Sequence, residues 1–271
     1  MTFTFQFLDL KNNETNILQY NALIIATGSR VVKPDFPYKS SPFISSFYSP
    51  SDAKNFKETA QKGKVGKAVI IGGGFTGCEL SETLTSLWGI ETTIIEKEKS
   101  LLFKSFDPEI SAIIENSIKS KDVQVLLSTE VEKIELDEKE LPVVFIKDGT
   151  KIKSDHVFYN LGIKPETSLA EKAGIKIGDL GGIVVDENMK TNIRNVWAAG
   201  NCVEVNNLVT GKPDYFSRGS LSNRMGRVAA DSIAEENSSF KGAVGTICLK
   251  LFNLNITASG LTEKKCKRAW L

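Results

Sequence analysis

Residues 67–80 read KAVIIGGGFTGCEL, a short apolar run that leads directly into closely spaced glycines. The run Lys67–Ile71 has the length and composition of a buried strand. Gly72, Gly74 and Gly77 form the pattern G-x-G-x-x-G, and the residues after them place apolar side chains at helical spacing. A strand, a glycine turn and a helix in this order predict a dinucleotide-binding unit of the Rossmann type.

The residues of the turn have separate physical roles in binding a dinucleotide. Gly72 permits the tight turn, Gly74 lets the backbone approach a pyrophosphate, and Gly77 lets the helix pack closely on the strand. Phe75 and Thr76 lie at the start of the predicted helix, where free N–H groups and a partial positive charge attract phosphates. The alternative interpretation is a glycine turn that binds no ligand.

An acidic residue at the end of the next predicted strand bears on the choice of cofactor. Glu96 follows Gly72 by 24 residues, near the ~20 expected for the carboxylate that binds the adenosine ribose. Such a carboxylate repels a 2′-phosphate, which favours NADH over NADPH. Lys97 and Lys99 could bind a 2′-phosphate, so NADPH stays possible as the cofactor. The other interpretation is that residues 96–99 are a run of solvated charges that binds no cofactor.

The composition excludes several classes of protein. The chain has 271 residues, which suggests about two domains. Its 41% apolar and 25% charged residues are typical of a globular protein, and a net charge of +1 gives no reason to expect a nucleic-acid partner. No apolar run approaches the ~20 residues of a membrane span. Since the N-terminus also lacks a secretory signal, we expect a cytoplasmic protein.

The cysteines and the single histidine do not suggest a catalytic or metal site. Cys78, Cys202, Cys248 and Cys266 lie far apart, and no C-x-x-C is present, so we expect neither a metal site nor a disulfide framework. Cys202 is predicted to be a buried packing residue. His156 is interpreted as a solvent-facing or hydrogen-bonded residue of a strand.

The remaining pattern predicts alternating strands and helices. Predicted strands cover 2–10, 16–26, 92–96, 123–127, 131–136, 143–146, 156–160, 183–185 and 195–199, and residues 242–254 have strand character. Predicted helices run from Ser51, as N-cap, to about Lys62, from the glycine turn to Gly89, from Asp107 onward, over 168–173 and over 220–235. The expected buried faces are Leu80, Leu84, Leu87 and Trp88 in the second helix, and Ile110, Ile113, Ile114 and Ile118 in the third. An extended connection contains Pro34, Pro37, Pro42 and Pro50.

Two further segments bracket the glycine unit. Residues 20–29 read YNALIIATGS before it, and residues 191–201 read TNIRNVWAAGN after it. Together with the G-x-G-x-x-G unit they resemble the pyridine nucleotide–disulfide oxidoreductase family, flavoproteins with two dinucleotide-binding domains. The segments 161–165, 183–188 and 221–227 are most similar to the coenzyme A-disulfide reductase and NADH oxidase branch of this family.

The resemblance implies a fold and a domain organisation. We expect an α/β protein with a Rossmann-like NADH domain inserted in a partial FAD-binding α/β domain, followed by the start of an α+β dimerisation domain. The implied divisions are 1–50 and 165–242 for FAD, 51–164 for NAD(P)H and 243–271 for dimerisation. The family's first glycine motif and its redox cysteine are absent from this sequence, so we expect a fragment, with both upstream of Met1. We also expect the full-length protein to be a homodimer.

The resemblance also implies roles for particular residues. Gly162 matches the glycine against which the nicotinamide lies, and Glu79 matches a glutamate near that ring, or is simply a glutamate on the helix surface. The residues implied to lie beside the FAD are Ala26, Thr27, Gly28, Gly200, Asn201 and Ser220, the last at the start of a helix directed toward the flavin. Asn201 stands where the family usually has Asp; its amide oxygen can still accept a hydrogen bond, although the charge is lost.

The implied activity is that of an FAD-dependent oxidoreductase. Hydride would pass from NADH, or NADPH, to FAD, and the electrons would pass to a disulfide such as coenzyme A disulfide, to oxygen or to another acceptor. The alternative is a non-catalytic NADH-binding subunit or sensor that lacks a complete FAD site. The residues that react with the acceptor are not identified in this sequence.

Overall fold

The computed structural model of the chain describes residues 3–270. The chain divides into two compact units. The first contains the residues up to Arg30 together with Lys164–Gly245, and the second contains Val31–Ile163 and the residues from Thr246 onward. The second unit is therefore inserted into the first along the sequence, and residues 31–50 and the C-terminal hairpin belong to the second unit.

The elements alternate along the chain as in an α/β protein, the fold class that the sequence predicts. The helices are α1 Pro50–Gln61, α2 Phe75–Glu82, which continues as a π-helical turn over Thr83–Leu87, α3 Pro108–Lys119, α4 Ser168–Lys172, α5 Gly219–Ile233 and α6 Glu263–Trp270. The strands are β1 Phe3–Asp9, β2 Glu14–Tyr20, β3 Leu23–Ile25, β4 Ser29–Val31, β5 Ile44–Ser45, β6 Lys67–Ile71, β7 Glu91–Ile95, β8 Gln124–Leu126, β9 Val131–Leu136, β10 Pro142–Ile146, β11 Lys151–Lys153, β12 His156–Tyr159, β13 Ile163–Pro165, β14 Ile183–Val184, β15 Val196–Ala198, β16 Val203–Asn206, β17 Pro213–Asp214, β18 Ile247–Leu251 and β19 Leu254–Ala258.

The second unit is built on a parallel sheet of five strands in the order β5-β12-β6-β7-β8. Successive side chains of a strand point to opposite faces, so each strand contributes to two apolar clusters. Ile70 and Ile94 belong to the cluster that contains the buried residues of α2 and α3. Ile71 and Ile95 belong to the cluster that contains residues of the antiparallel sheet β11-β10-β9. The central sheet is thus covered by helices on one face and by strands on the other.

The C-terminal hairpin belongs to the helix-side cluster. Strands β18 and β19 pair in an antiparallel register, and alternate residues of β18 are buried. Ile247, Leu249 and Leu251 share an apolar cluster with Leu80 and Leu84 of the α2 region. The hairpin therefore packs on the helix that follows the glycine turn, which the sequence pattern did not predict.

The first unit has its own apolar core. Strands β3 and β15 pair in parallel, with Ile24 opposite Trp197. Trp197, Met225 and Cys202 are buried in one cluster with residues of α5, and Trp197 Nε1 donates a hydrogen bond of 3.0 Å to Ser232 Oγ. The prediction that Cys202 is a buried packing residue is confirmed.

The start of α1 differs from the sequence-based prediction. The N-cap is Ser49 and not Ser51, and Pro50 is the first residue of the helix rather than part of an extended connection. Ser49 and Asp52 form a capping box, in which each side chain binds the backbone N–H of the other residue. Proline is favoured at the first helical position because its missing N–H needs no partner there.

Parts of the predicted buried helix faces are exposed. Leu87, Ile110 and Ile113 have exposed fractions of 72%, 41% and 55%. The π-helical turn changes the spacing that would otherwise bring Leu87 under Leu84. In α3, Ile114 and Ile118 alone of the four predicted isoleucines are buried.

Two further segments also differ from the sequence pattern. Residues 16–26 form two strands and not one, with a break between Tyr20 and Leu23. The charged residues at the C-terminal end of the chain form α6. Among the described residues, no helix is both long and apolar enough to cross a membrane.

Candidate functional site

The glycine turn follows β6 at the carboxyl edge of the parallel sheet. Gly72 has φ +110°, a backbone conformation that L side chains rarely adopt. Its N–H donates to Ile95 O at 2.8 Å, and a Cβ atom here would lie 2.4 Å from Asn160 O. The first glycine is therefore required both by its conformation and by the strand beside it.

The third glycine brings α2 against the turn. A Cβ atom on Gly77 would lie 2.0 Å from the carbonyl oxygen of Gly72, a distance that no side chain can satisfy. Gly74 differs, because it is the N-cap of α2 and no described atom lies within 4 Å of its Cβ position. Phe75 and Thr76 begin the helix, and N–H groups of this first turn have no intrahelical acceptor. The open side of the turn thus presents backbone donors.

Glu96 follows β7 and contacts the glycine turn directly. Its Oε2 atom accepts a hydrogen bond of 2.6 Å from Gly73 N–H, and its Oε1 atom accepts one of 2.8 Å from Glu98 N–H. Each carboxylate oxygen has a second lone pair, so further donors such as ribose hydroxyls can still bind. Lys97 is exposed beside it. The carboxylate therefore supports the turn in addition to any contact with a cofactor.

Two ionisable residues of α2 differ in environment. Burial raises the pKa of the Cys78 thiol to about 12, and the charges of Glu96 and Glu79 act in the same direction. This thiol is therefore not a nucleophile near neutral pH. Burial also raises the pKa of Glu79, and the neighbouring Glu82 adds to the shift.

A residue that the sequence did not single out lies at the end of β12. Asn160 N–H donates to Ile71 O at 2.8 Å, which places Asn160 beside Gly72. The Nδ2 atom of Asn160 is buried and has no hydrogen-bond partner within residues 3–270. Two residues later, Gly162 is exposed, and no described atom lies within 4 Å of its Cβ position. Only the place of Asn160 at the end of the predicted strand 156–160 could have pointed to it.

The predicted FAD residues of the N-terminal segment lie where that segment contacts residues 164–168 of the first unit. Thr27 Oγ1 donates to Glu166 O, and Glu166 N–H donates to Gly28 O at 3.0 Å. Arg30 and Glu166 form an ion pair. Ala26 and Thr27 are exposed after the buried Ile25 of β3. The turn is thus fixed by its own backbone while its surface stays accessible.

The second group of predicted FAD residues lies in the same unit. Asn201 Oδ1 accepts from Ser222 Oγ at 3.1 Å, and Asn201 Nδ2 donates to Ser29 Oγ at 3.4 Å. Gly200 lies close to Ser222, whose Oγ is 3.8 Å from the Cβ position of this glycine. The Asn201 side chain therefore links the two sequence segments of the unit, and a second lone pair of Oδ1 remains for a ligand hydroxyl.

Helix α5 begins beside this group. Ser220 is its second residue and is exposed. The N-cap is Arg218, and a guanidinium carries donors only, so it cannot accept from the first N–H groups of the helix. The first backbone N–H groups of α5 therefore receive no cap from the Arg218 side chain and can donate to an anionic ligand.

A buried carboxylate that the sequence did not indicate supports a glycine-rich turn in the first unit. Glu204 is 6% exposed, and its Oε1 atom accepts from the backbone N–H groups of Leu180 and Gly182 at 2.8 and 2.9 Å. Both donors belong to the protein backbone, so Glu204 has a structural role.

The remaining cysteines and the histidine do not form a reactive cluster. Within the described part of the chain, no group of three or more His, Cys, Asp and Glu side chains could hold a metal ion. The four cysteines are free, with Cys78 and Cys202 buried and Cys248 exposed. His156 is 4% exposed and its Nε2 lies 3.0 Å from Ser45 Oγ, so it is a buried residue and not a solvent-facing one.

Comparison with known proteins identifies the family. The family model described as pyridine nucleotide-disulphide oxidoreductase matches residues 3–224. A curated relative, the NAD(P)H sulfur oxidoreductase (CoA-dependent) of Pyrococcus furiosus, is 32% identical over 255 residues, which are 94% of this chain and 57% of the relative. The NADH oxidase of Methanocaldococcus jannaschii is 29% identical over 94% of this chain and 56% of its own length.

A solved structure agrees with these relatives. The NAD-dependent persulfide reductase from A. fulgidus has a TM-score of 0.93 and 35% identity, over 99% of this chain and 49% of that chain. The chain spans little more than half the length of the curated relatives it matches. The resemblance seen in the sequence motifs is confirmed: the chain belongs to the pyridine nucleotide-disulphide oxidoreductase family, in its coenzyme A-disulfide reductase and NADH oxidase branch.

Proposed function

We propose that the chain is the NADH-binding portion, and part of the FAD-binding portion, of a flavoprotein that reduces a disulfide or another sulfur compound. When bound, the nicotinamide supplies a hydride and the flavin accepts it. The observation that carries the proposal is the open side of the glycine turn, where Gly74 has no described atom within 4 Å of its Cβ position. The first N–H groups of α2 lie on the same side of the turn, where a pyrophosphate can accept hydrogen bonds from them.

The residues of the second unit fit a dinucleotide. Gly72 and Gly77 shape the turn, and the first N–H groups of α2 would bind the pyrophosphate. Glu96 would accept hydrogen bonds from the adenosine ribose, while its existing bond to Gly73 holds the turn in place. We propose NADH as the preferred cofactor, with NADPH as the second choice because of Lys97.

Two residues near this turn would act at the nicotinamide end. We propose that Gly162, which has no side chain, lets the ring approach the backbone. Glu79, whose pKa is raised by burial, would contact the ring or its ribose from α2. Both roles follow from the family resemblance, and the exposure of Gly162 leaves room for the ring.

The residues of the first unit fit part of a flavin site. Thr27, Gly28, Gly200 and Asn201 would surround the ribityl chain and the pyrophosphate, with Asn201 Oδ1 accepting from a ribityl hydroxyl. The donors at the start of α5, near Ser220, would stabilise negative charge on the flavin ring. The chain lacks a second G-x-G-x-x-G, so we propose that the FAD pyrophosphate is also held by residues outside this chain.

The names of the relatives suggest the electron acceptor that we propose. The Pyrococcus furiosus and A. fulgidus proteins are named for sulfur and persulfide acceptors, and the Methanocaldococcus jannaschii protein for NADH oxidation. We favour a sulfur acceptor such as coenzyme A disulfide, and oxygen is the alternative. Cys78 and Cys202 are buried, and Cys248 and Cys266 lie in the segment 243–271 that we assign to a dimerisation domain, so we propose that the redox cysteine lies outside this chain.

The domain roles, assembly and location complete the proposal. We assign FAD to 1–50 and 165–242, NAD(P)H to 51–164, and the start of a dimerisation domain to 243–271, with residues 31–50 packed in the second unit as a connection from the FAD segment. The full-length protein would be a homodimer that acts on a small-molecule or disulfide acceptor. We propose a cytoplasmic location, where unpaired cysteines such as Cys248 are ordinary.

Flavin reduction tests the proposal. The purified chain is supplied with FAD, and the visible absorbance of the flavin is followed without oxygen after NADH is added. We expect the chain to accelerate the loss of flavin absorbance over FAD and NADH alone. A full-length protein that binds NADH and leaves the flavin oxidised would instead support the non-catalytic subunit or sensor. A chain that does not bind NADH would exclude both.

A further inference from the structure

We propose that Asn160 is a dinucleotide-binding residue, whose side-chain amide donates a hydrogen bond to a phosphate or ribose oxygen of the cofactor. The inference rests on the proposed NADH-binding function and adds a residue to it. Its starting observation is the Nδ2 atom of Asn160, which is buried and has no hydrogen-bond partner in the described part of the chain. Buried polar groups are nearly always paired, so an orphan donor calls for a partner.

The position of Asn160 in the sheet indicates where a hydrogen-bond acceptor for its amide would lie. In the parallel pairing of β12 with β6, Tyr159 lies opposite Ile71, so the next residues, Asn160 and Gly72, are neighbours. The Asn160 carbonyl oxygen would lie 2.4 Å from a Cβ atom on Gly72. Asn160 thus follows its strand at the carboxyl edge of the sheet, beside the first glycine of the turn. Ligands of open parallel α/β sheets bind at this edge.

Other orphan polar atoms of the second unit lie elsewhere. Ser154 and His156 are at the opposite end of β12, and Thr85 and Ser111 are in the helical segments. Ser154 precedes β12 and His156 begins it, so both lie away from the carboxyl edge, while Ser111 is on the buried face of α3. Asn160 therefore combines an orphan donor with a place at the carboxyl edge of the sheet, beside the glycine turn.

The chemistry of the amide matches the dinucleotide and not a cation. An amide nitrogen carries two donor hydrogens and no lone pair for a ligand. Phosphate and ribose oxygens are acceptors, and a hydrogen bond to a charged phosphate is stronger than one between neutral groups. In the free protein the buried orphan donor is a cost to stability, and a rotation of the Asn160 side chain toward the glycine turn would bring it to the cofactor oxygen.

The test compares Asn160→Ala and Asn160→Asp with Ser154→Ala. Ser154 also has an orphan buried side-chain atom within the described residues, but at the other end of the same strand. NADH affinity is measured by calorimetric titration, and the melting temperature of each free protein is measured beside it. We expect Asn160→Ala to weaken NADH binding by about tenfold, the loss of one hydrogen bond to a charged group, with an unchanged or higher melting temperature.

The other variants separate binding from structure. Asn160→Asp replaces a donor by a negative acceptor, so it should weaken NADH binding further than Asn160→Ala. Ser154→Ala should bind NADH as the wild type does. Wild-type NADH affinity in Asn160→Ala, or an equal loss of affinity in Ser154→Ala, would overturn the inference. A folded wild-type chain that does not bind NADH would overturn the proposed function on which the inference rests.

Discussion

The Oε2 atom of Glu96 accepts a hydrogen bond of 2.6 Å from the backbone N–H of Gly73, which joins the end of β7 to the turn that follows β6. The other carboxylate oxygen binds Glu98 N–H at 2.8 Å. One side chain therefore holds the glycine turn and stands where the adenosine ribose is expected. Substitutions of Glu96 must be judged on both properties.

Replacing Glu96 should change cofactor preference and stability together. In Glu96→Ala two backbone N–H groups lose their acceptor, so we expect the free energy of unfolding to fall by about 1–3 kcal/mol. NADH binding should weaken more than NADPH binding, because the ribose hydroxyls lose an acceptor and the 2′-phosphate loses a repulsive charge. Glu96→Gln is the control, since it keeps one acceptor oxygen and removes the charge. Equal losses for the two cofactors, measured by titration, would contradict the ribose role.

The first and third glycines of the turn are not equivalent to the second. Gly77→Ala places a Cβ atom 2.0 Å from a backbone oxygen of Gly72, and backbone cannot move aside as a side chain would. We expect a loss of about 1–3 kcal/mol or more in unfolding free energy. Gly74→Ala is the matched control, because its added methyl group enters open space. Urea unfolding measures both, and similar stabilities for the two variants would show that the close approach of α2 is unimportant.

The buried histidine should make stability depend on pH. Burial lowers the pKa of His156 to about 4, from 6.5 in the unfolded chain. Below pH 6.5 the unfolded state binds more protons than the folded state, so stability falls as the pH falls from 6.5 toward 4 and changes no further below the folded pKa. The full effect is about 3 kcal/mol.

The histidine can be tested by a single substitution. His156 makes an edge-to-face contact with the ring of Phe56 and a tilted contact with that of Phe158, so His156→Phe keeps an apolar ring at this place and removes the titrating group. Urea unfolding between pH 4 and pH 8 should show a smaller loss of stability at acidic pH in this variant. The same pH dependence in both proteins would mean that other groups dominate.

The cysteines should differ in reactivity. The buried Cys78, whose pKa is raised to about 12, and the buried Cys202 should not react with a thiol reagent in the folded chain. Cys248 is exposed on β18 and should react quickly. Peptide mapping after brief labelling checks this, with labelling in denaturant as the control. Rapid modification of Cys78 in the folded chain would contradict its burial.

The sequence was sufficient where a local pattern determines the structure. The apolar run and the glycine spacing predicted β6, the turn and α2, because a strand, a tight turn and a helix start each have short-range requirements. Val131–Leu136 was predicted with the bounds that the structure gives. The Asp107–Pro108 pair also marked the start of α3, since proline favours the first helical position.

The sequence was insufficient where tertiary packing decides. The exposure of Leu87 depends on a π-helical turn, and the burial of His156 depends on the rings around it. Glu204 is a structural carboxylate only because the chain folds a distant glycine-rich turn onto it. The orphan amide of Asn160 likewise appears only when β12 lies beside β6. Apart from the π-helical turn, these properties arise between residues that are far apart in sequence.

The central claim is that the open side of the glycine turn binds NADH, and a calorimetric titration of NADH into the wild-type chain and Gly74→Ala tests it most directly. We predict saturable binding of one NADH per wild-type chain, and an affinity at least about tenfold lower in Gly74→Ala, since the methyl group occupies the space of the pyrophosphate. Circular dichroism would show both proteins to be folded. Equal NADH affinity of the two folded proteins, or no binding by the folded wild type, would contradict the claim.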